Sequence, residues 1–172
     1  AFDDVAEKLR EYLEVAHVWE HQVGNEDGAT PALEEVIELD PTNQDAFDQL
    51  EKLHIAAERH EDLVALYLDR VEVVGEVRDK TRLLRKVARV LSDKLGQKEP
   101  AYEALETALS LDYRDEDTIE YIEELAAETK RWAALVQVVN QWLESATAQK
   151  TKVALCLLLA KWYGEHLDRP DY

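Results

Sequence analysis

The stretch that decides the fold is VAHVWEHQVGNEDGATPALEEVIELDP, residues 15–41, because it returns at residues 87–113 as VARVLSDKLGQKEPAYEALETALSLDY. Val15-Ala16, Val18, Gly24, Ala29, Ala32-Leu33-Glu34 and Leu39-Asp40 fall on Val87-Ala88, Val90, Gly96, Ala101, Ala104-Leu105-Glu106 and Leu111-Asp112. The shared positions are apolar residues at three- and four-residue spacing, small residues and a turn glycine, the features a helical hairpin constrains. At the same offset Leu53 meets Leu125, Arg59 meets Arg131 and Leu63-Val64 meets Leu135-Val136, and a truncated third copy sets Leu159 to Tyr163 under Val87 to Leu91.

Working outward, helical periodicity predicts nine helices, at 3–23, 28–39, 44–58, 61–74, 78–95, 100–111, 115–129, 131–146 and 150–166. Nothing alternates like a strand. Gly24 and Gly96 stand where a left-handed residue closes a helix, Pro41 stands where one cannot continue, and Asp115 suits a helix N-cap. Each unit of this repeat then holds two hairpins, giving one segment with hairpins at 9–43, 44–77, 78–115 and 116–149, a truncated one at 150–172, and 1–8 as the end of a preceding repeat.

These residues resemble the tetratricopeptide repeat family. Its marks are a large then a small residue with an aromatic three on, a turn Gly, an early Ala in the second helix, and a closing Leu-Asp-Pro. Val15-Ala16 with Trp19, Gly24, Ala29 and Leu39-Asp40-Pro41 carry them, and Val87-Ala88 with Leu91, Gly96, Ala101 and Leu111-Asp112 repeat them, with Tyr113 in place of Pro. The hairpins between match less well. The resemblance implies an all-α, right-handed α-solenoid of antiparallel hairpins that binds a protein or peptide in a concave groove lined by the first helix of each hairpin.

Composition narrows the partners. With 38 acidic against 20 basic residues and a net charge of −18, the chain repels phosphate backbones and anionic lipid, so nucleic acid and membrane are not expected partners. One cysteine admits no internal disulfide and fits a cytoplasmic setting. The first residue is Ala1 and no methionine occurs, so the chain reads as a piece of a longer repeat protein.

Candidate chemistry is sparse, and no catalytic residue, cofactor or metal is expected. His17-Val18-Trp19-Glu20-His21 spells a helical H-x-x-E-H zinc motif, but the repeat explains Trp19 as core and puts both histidines outside. Asp112, Asp115, Glu116 and Asp117 lack the spacing and glycine of a calcium loop. Cys156 reads as a small core residue.

Binding candidates are clearer. Leu84, Val87, Ala88, Leu91 and Leu95 form the packing stripe of their helix, leaving Arg82, Arg85, Lys86 and Arg89 as a basic row on the opposite face, which the family resemblance implies lines the groove. A carboxylate-bearing peptide is the expected occupant. Neighbouring first helices offer Asp45, Asp48 and Lys52 on one side and Asp117, Glu120, Tyr121 and Glu124 on the other, so the rows can also neutralise one another. The family's clamp for a chaperone's C-terminal carboxylate, a Lys and Asn pair, is absent. The last helix is apolar nearly all round, and Leu155, Leu158 and Trp162 are expected to form an end-to-end homo-association face. A binding scaffold is therefore the leading expectation, with a self-assembling spacer second and an enzyme third.

Overall fold

The computed structural model describes residues 2–19 and 26–166. Within the described residues lie nine α-helices and no strand: α1 (Phe2–Val18), α2 (Thr30–Leu39), α3 (Gln44–Ala56), α4 (His60–Val73), α5 (Val77–Arg89), α6 (Lys98–Leu111), α7 (Glu116–Thr129), α8 (Trp132–Ser145) and α9 (Gln149–Glu165). A 3-10 turn at Glu26–Ala29 leads into α2, and a π turn at Val90–Lys94 extends α5. None of these helices is long and apolar enough to cross a membrane. The all-α expectation holds, and the helix spans agree to within a few residues. Gly24 and the expected run of the first helix to residue 23 lie outside the described residues.

The chain divides into two compact units, Ala1–Glu76 and Val77–Tyr172. In unit 1, α1 packs on α2, α2 on α3 and α3 on α4; in unit 2 the same succession runs from α5 to α9. Helices α2 to α9 bury apolar side chains in the core: Leu33 and Val36 from α2, Leu50 from α3, Leu63 and Tyr67 from α4 in unit 1, and Leu105, Ile122, Leu135 and Leu155 in unit 2, where α5 with its π turn buries Leu84, Val87, Ala88 and Leu91 of its expected packing stripe.

The repeat is visible in the backbone. Helices α3, α4 and α5 begin at Gln44, His60 and Val77, and α7, α8 and α9 begin at the matching repeat positions Glu116, Trp132 and Gln149. The corners repeat as well. The Asp40 carboxylate accepts from the Thr42 N–H at 3.1 Å, and the Asp112 carboxylate accepts from the Arg114 N–H at 3.0 Å, so the Leu-Asp pair is the start of an aspartate turn rather than a mere helix stop. Beyond that turn, Arg70 reaches across unit 1 to donate to the Pro41 carbonyl at 2.7 Å and Gln44 Oε1 at 2.6 Å, with its guanidinium over the Phe47 ring. At the matching positions of unit 2, Trp142 packs against Tyr113 with ring centroids 5.8 Å apart. The loss of Pro at 113 is thus matched by a change of its tertiary partner from cation to indole.

Among the described residues, three helix ends close through a left-handed residue: Glu58 (φ 54°), Gly96 (φ 67°) and Lys130 (φ 58°). Each is followed by an N–H reaching back over the turn, Arg59 to the His54 carbonyl, Gln97 to Leu91 and Arg131 to Ala126. Glu58 and Lys130 occupy the same position of the repeat and are not glycine, so both carry the steric cost of this backbone region. Opposite substitutions should therefore move stability in opposite directions: Gly96→Ala is expected to lose about 1 kcal/mol and Lys130→Gly to gain about 0.5–1 kcal/mol, read as shifts in the urea midpoint.

Candidate functional site

Helix α5 presents Arg82, Arg85, Lys86 and Arg89 at helical spacing, and α7 presents Asp117, Glu120, Tyr121 and Glu124 at the same spacing; these two rows, with Asp93 from the π turn, wall a cleft of about 670 Å³ inside unit 2. The expected basic row and its acidic neighbour are brought together. Four cations face four carboxylates, so the site is charge-balanced rather than basic.

The pairing is uneven. Arg85 is half-buried, its side chain 18% exposed, and its guanidinium holds the Asp115 carboxylate, donates to Thr118 Oγ1 at 3.1 Å and pairs with Asp117 at 3.1 Å. Asp115 therefore does not act as the side-chain N-cap its position suggests; its carboxylate is taken by Arg85 and by the Thr118 hydroxyl. Asn43, its counterpart in unit 1, does cap α3 by accepting from the Ala46 N–H at 3.0 Å. Arg82, 65% exposed, pairs with Asp79 one turn back on its own helix, and Arg89 lies exposed with its guanidinium 5.7 Å from the Tyr121 ring centroid. Burial raises the Tyr121 phenol pKa, and Asp93 and Glu124 add to the rise against the Ser92 hydroxyl and Arg89, so the ring enters the cleft as a neutral hydroxyl-bearing face.

Asp45, Asp48 and Lys52 lie on α3 in unit 1 and do not wall this cleft; Asp48 accepts from Gln44 at 2.7 Å. Of the zinc-like motif, His17 is exposed on α1, while Glu20 and His21 fall outside the described residues. The expected association face is corrected: Leu155, Leu158 and Trp162 are buried in unit 2, with Trp162 Nε1 donating to Glu123 at 2.6 Å beside Lys161 on the same carboxylate. An indole N–H that finds an internal acceptor can be buried, and this fixes the rotation of α9. Cys156, expected in the core, is exposed. Asp93 and Thr118 escaped the sequence reading and Asp115 was read as a cap, because only the paired helices show what lines the cleft and which side chains Arg85 can reach.

No protein-family profile matches the chain, and none of the curated proteins does. Among solved structures, a protein named MamA superposes with a TM-score of 0.50 at 15% identity over 96% of this chain and 86% of that one. A tetratricopeptide repeat protein from Parabacteroides merdae gives 0.50 and 15% over 96% of this chain, which spans 63% of that chain's length. At this identity the likeness concerns the fold, and the fold is tetratricopeptide-like.

Because Arg85 links two hairpins while Arg82 does not, Arg85→Ala is expected to cost about 1.5–3 kcal/mol and Arg82→Ala to stay within about 0.5 kcal/mol in chemical denaturation. A double-mutant cycle of Arg85 with Asp115 should return most of the former as coupling.

Proposed function

We propose that the chain is a non-catalytic protein-interaction scaffold whose α5–α7 cleft takes an extended segment of a partner polypeptide. The observation that carries this reading is the matched pair of charged rows. Arg85 is committed to a network linking the two helices, whereas Arg82 and Arg89 stand exposed at the rim with a neutral tyrosine beside them. An exposed ion pair is worth little, so a ligand carboxylate can replace the Asp79 contact of Arg82 at small cost, and Tyr121 supplies a rigid amphipathic surface. The fitting occupant turns carboxylates toward α5 and basic or polar groups toward α7. The overall acidity argues against nucleic acid or an anionic membrane as the partner.

A second reading, association through α9, is favoured by a different surface from the one expected. Val153 is 49% and Leu157 67% exposed, and with exposed Cys156 and Ala160 they form an apolar stripe at helical spacing on the side away from Trp162.

Peptide display on the intact chain distinguishes the two. Selected peptides should carry carboxylates and bind an Arg82→Glu/Arg89→Glu variant of unchanged helicity about tenfold or more weakly. Equal binding to both proteins, or no selection at all, would remove the cleft; a Leu157→Asp change that turns a dimer into a monomer in sedimentation would then support the α9 reading.

A further inference from the structure

A second cleft, of about 500 Å³, lies wholly within unit 1 between α2 and α4. Its α4 wall follows one stripe at helical spacing, Asp62, Leu66, Asp69 and Glu72, and its α2 wall carries Glu34 and Glu38. The floor is apolar, made by Ile37, Leu50 and Leu66, with one polar exception, His54 of α3. Among the described residues, five carboxylates thus rim an apolar-floored trench whose lining contains no lysine or arginine.

Acidity alone would be the ordinary solvated surface of an acidic protein. The decisive residue is His54. It is 3% exposed, lines the trench, and its Nδ1 has no hydrogen-bond partner among the described residues. An unpaired polar atom at such depth costs more than a missing surface contact, and buried polar groups are ordinarily satisfied. Burial lowers the His54 pKa, opposed by Asp62 of α4 and Glu34 of α2 and assisted by Arg59 from the turn after α3, so near neutrality the ring is uncharged and has an acceptor nitrogen to offer.

The internal repeat supplies a control. In unit 2 the repeat counterparts of His54, Asp62, Asp69 and Glu38 are Ala126, Ala134, Gln141 and Ser110. The hairpin template therefore demands neither the histidine nor most of the carboxylates, and the feature belongs to this one place.

We infer that the α2–α4 cleft of unit 1 is a binding site for a lysine- or arginine-bearing segment of a partner protein, whose aliphatic stem lies on the apolar floor while its cationic head meets the carboxylate rim and brings a donor to His54. A long basic side chain combines both properties, an apolar stem and a charged tip with several donors. This site is separate from the α5–α7 cleft, on another pair of helices and for a ligand of opposite charge, and neither reading depends on the other.

The test uses the intact chain and a fluorescein-labelled peptide of alternating lysine and leucine, with binding followed by anisotropy at physiological salt. Asp62→Asn/Asp69→Asn, which changes exposed residues only, is expected to weaken binding about tenfold. Glu103→Gln/Glu144→Gln removes the same charge from exposed positions of unit 2 and is expected to change binding less than about twofold if the site, rather than bulk attraction, holds the peptide. His54→Phe should weaken binding without lowering the urea midpoint, because it removes a buried polar atom that has no partner. No binding by the unaltered chain, equal loss in the two charge-matched variants, or undiminished binding by His54→Phe would each overturn the proposal.

Discussion

The structure depends on how closely paired helices approach, and alanine sets that distance. Ala88 and Ala101 on α5 and α6, Ala108 further along α6, Ala126 on α7 and Ala46 on α3 are all fully buried, where any larger side chain would force the helices apart. Close hairpins keep the loops short, and short loops leave little freedom in how one hairpin follows the next within a unit. That is what lets a single guanidinium, Arg85, span from α5 to the first turn of α7 and hold Asp115 and Thr118 together. A polar network of this kind stabilises little beyond what its desolvation costs, but it fixes register.

The same economy shapes the proposed recognition surface of unit 2. Rows of opposite sign on α5 and α7 line one cleft, and both the Arg82–Asp79 link within α5 and the Arg85–Asp117 link between the rows are exposed enough for a ligand to exchange them cheaply. Charge balance across the cleft also disfavours indiscriminate attraction of any polyanion, so in the proposed binding mode specificity falls to the spacing of charges and to Tyr121. In unit 1 the cleft between α2 and α4 is built on the contrary principle, with one sign on the rim and an apolar floor.

Much of the fold was legible because the constraint is periodic. Sliding the sequence against itself until Ala16 meets Ala88 aligned buried positions, and the helix starts at Gln44 and Glu116, or His60 and Trp132, obey that offset. Gly96 announced its left-handed backbone; Glu58 and Lys130 did not, since neither residue type advertises it. The two charged rows and their capacity to neutralise one another were readable from helical spacing, but the partners of Arg85 were not, because whether it meets a ligand or Asp115 depends on side-chain reach across the hairpin boundary. Helix α9 misled for a plain reason. Where every face is apolar, periodicity cannot say which is buried, and the choice of Leu155 over Cys156 rests on where the Trp162 indole finds Glu123. His54 drew no notice, as a lone histidine among apolar helical positions ordinarily does not; its meaning comes from the absent partner of Nδ1 and from Ala126 at the matching site.

The most direct test of the whole account is a proton–nitrogen NMR titration of the intact chain with two peptides in turn, one glutamate-rich and one lysine-rich, following backbone amide shifts. Two separate recognition surfaces on a common helical template require separate sets: α5 and α7 for the acidic peptide, α2 and α4 for the basic one. Shifts of the same amides by both peptides, or small changes spread evenly over all helices, would contradict the account and reduce both surfaces to solvated charge.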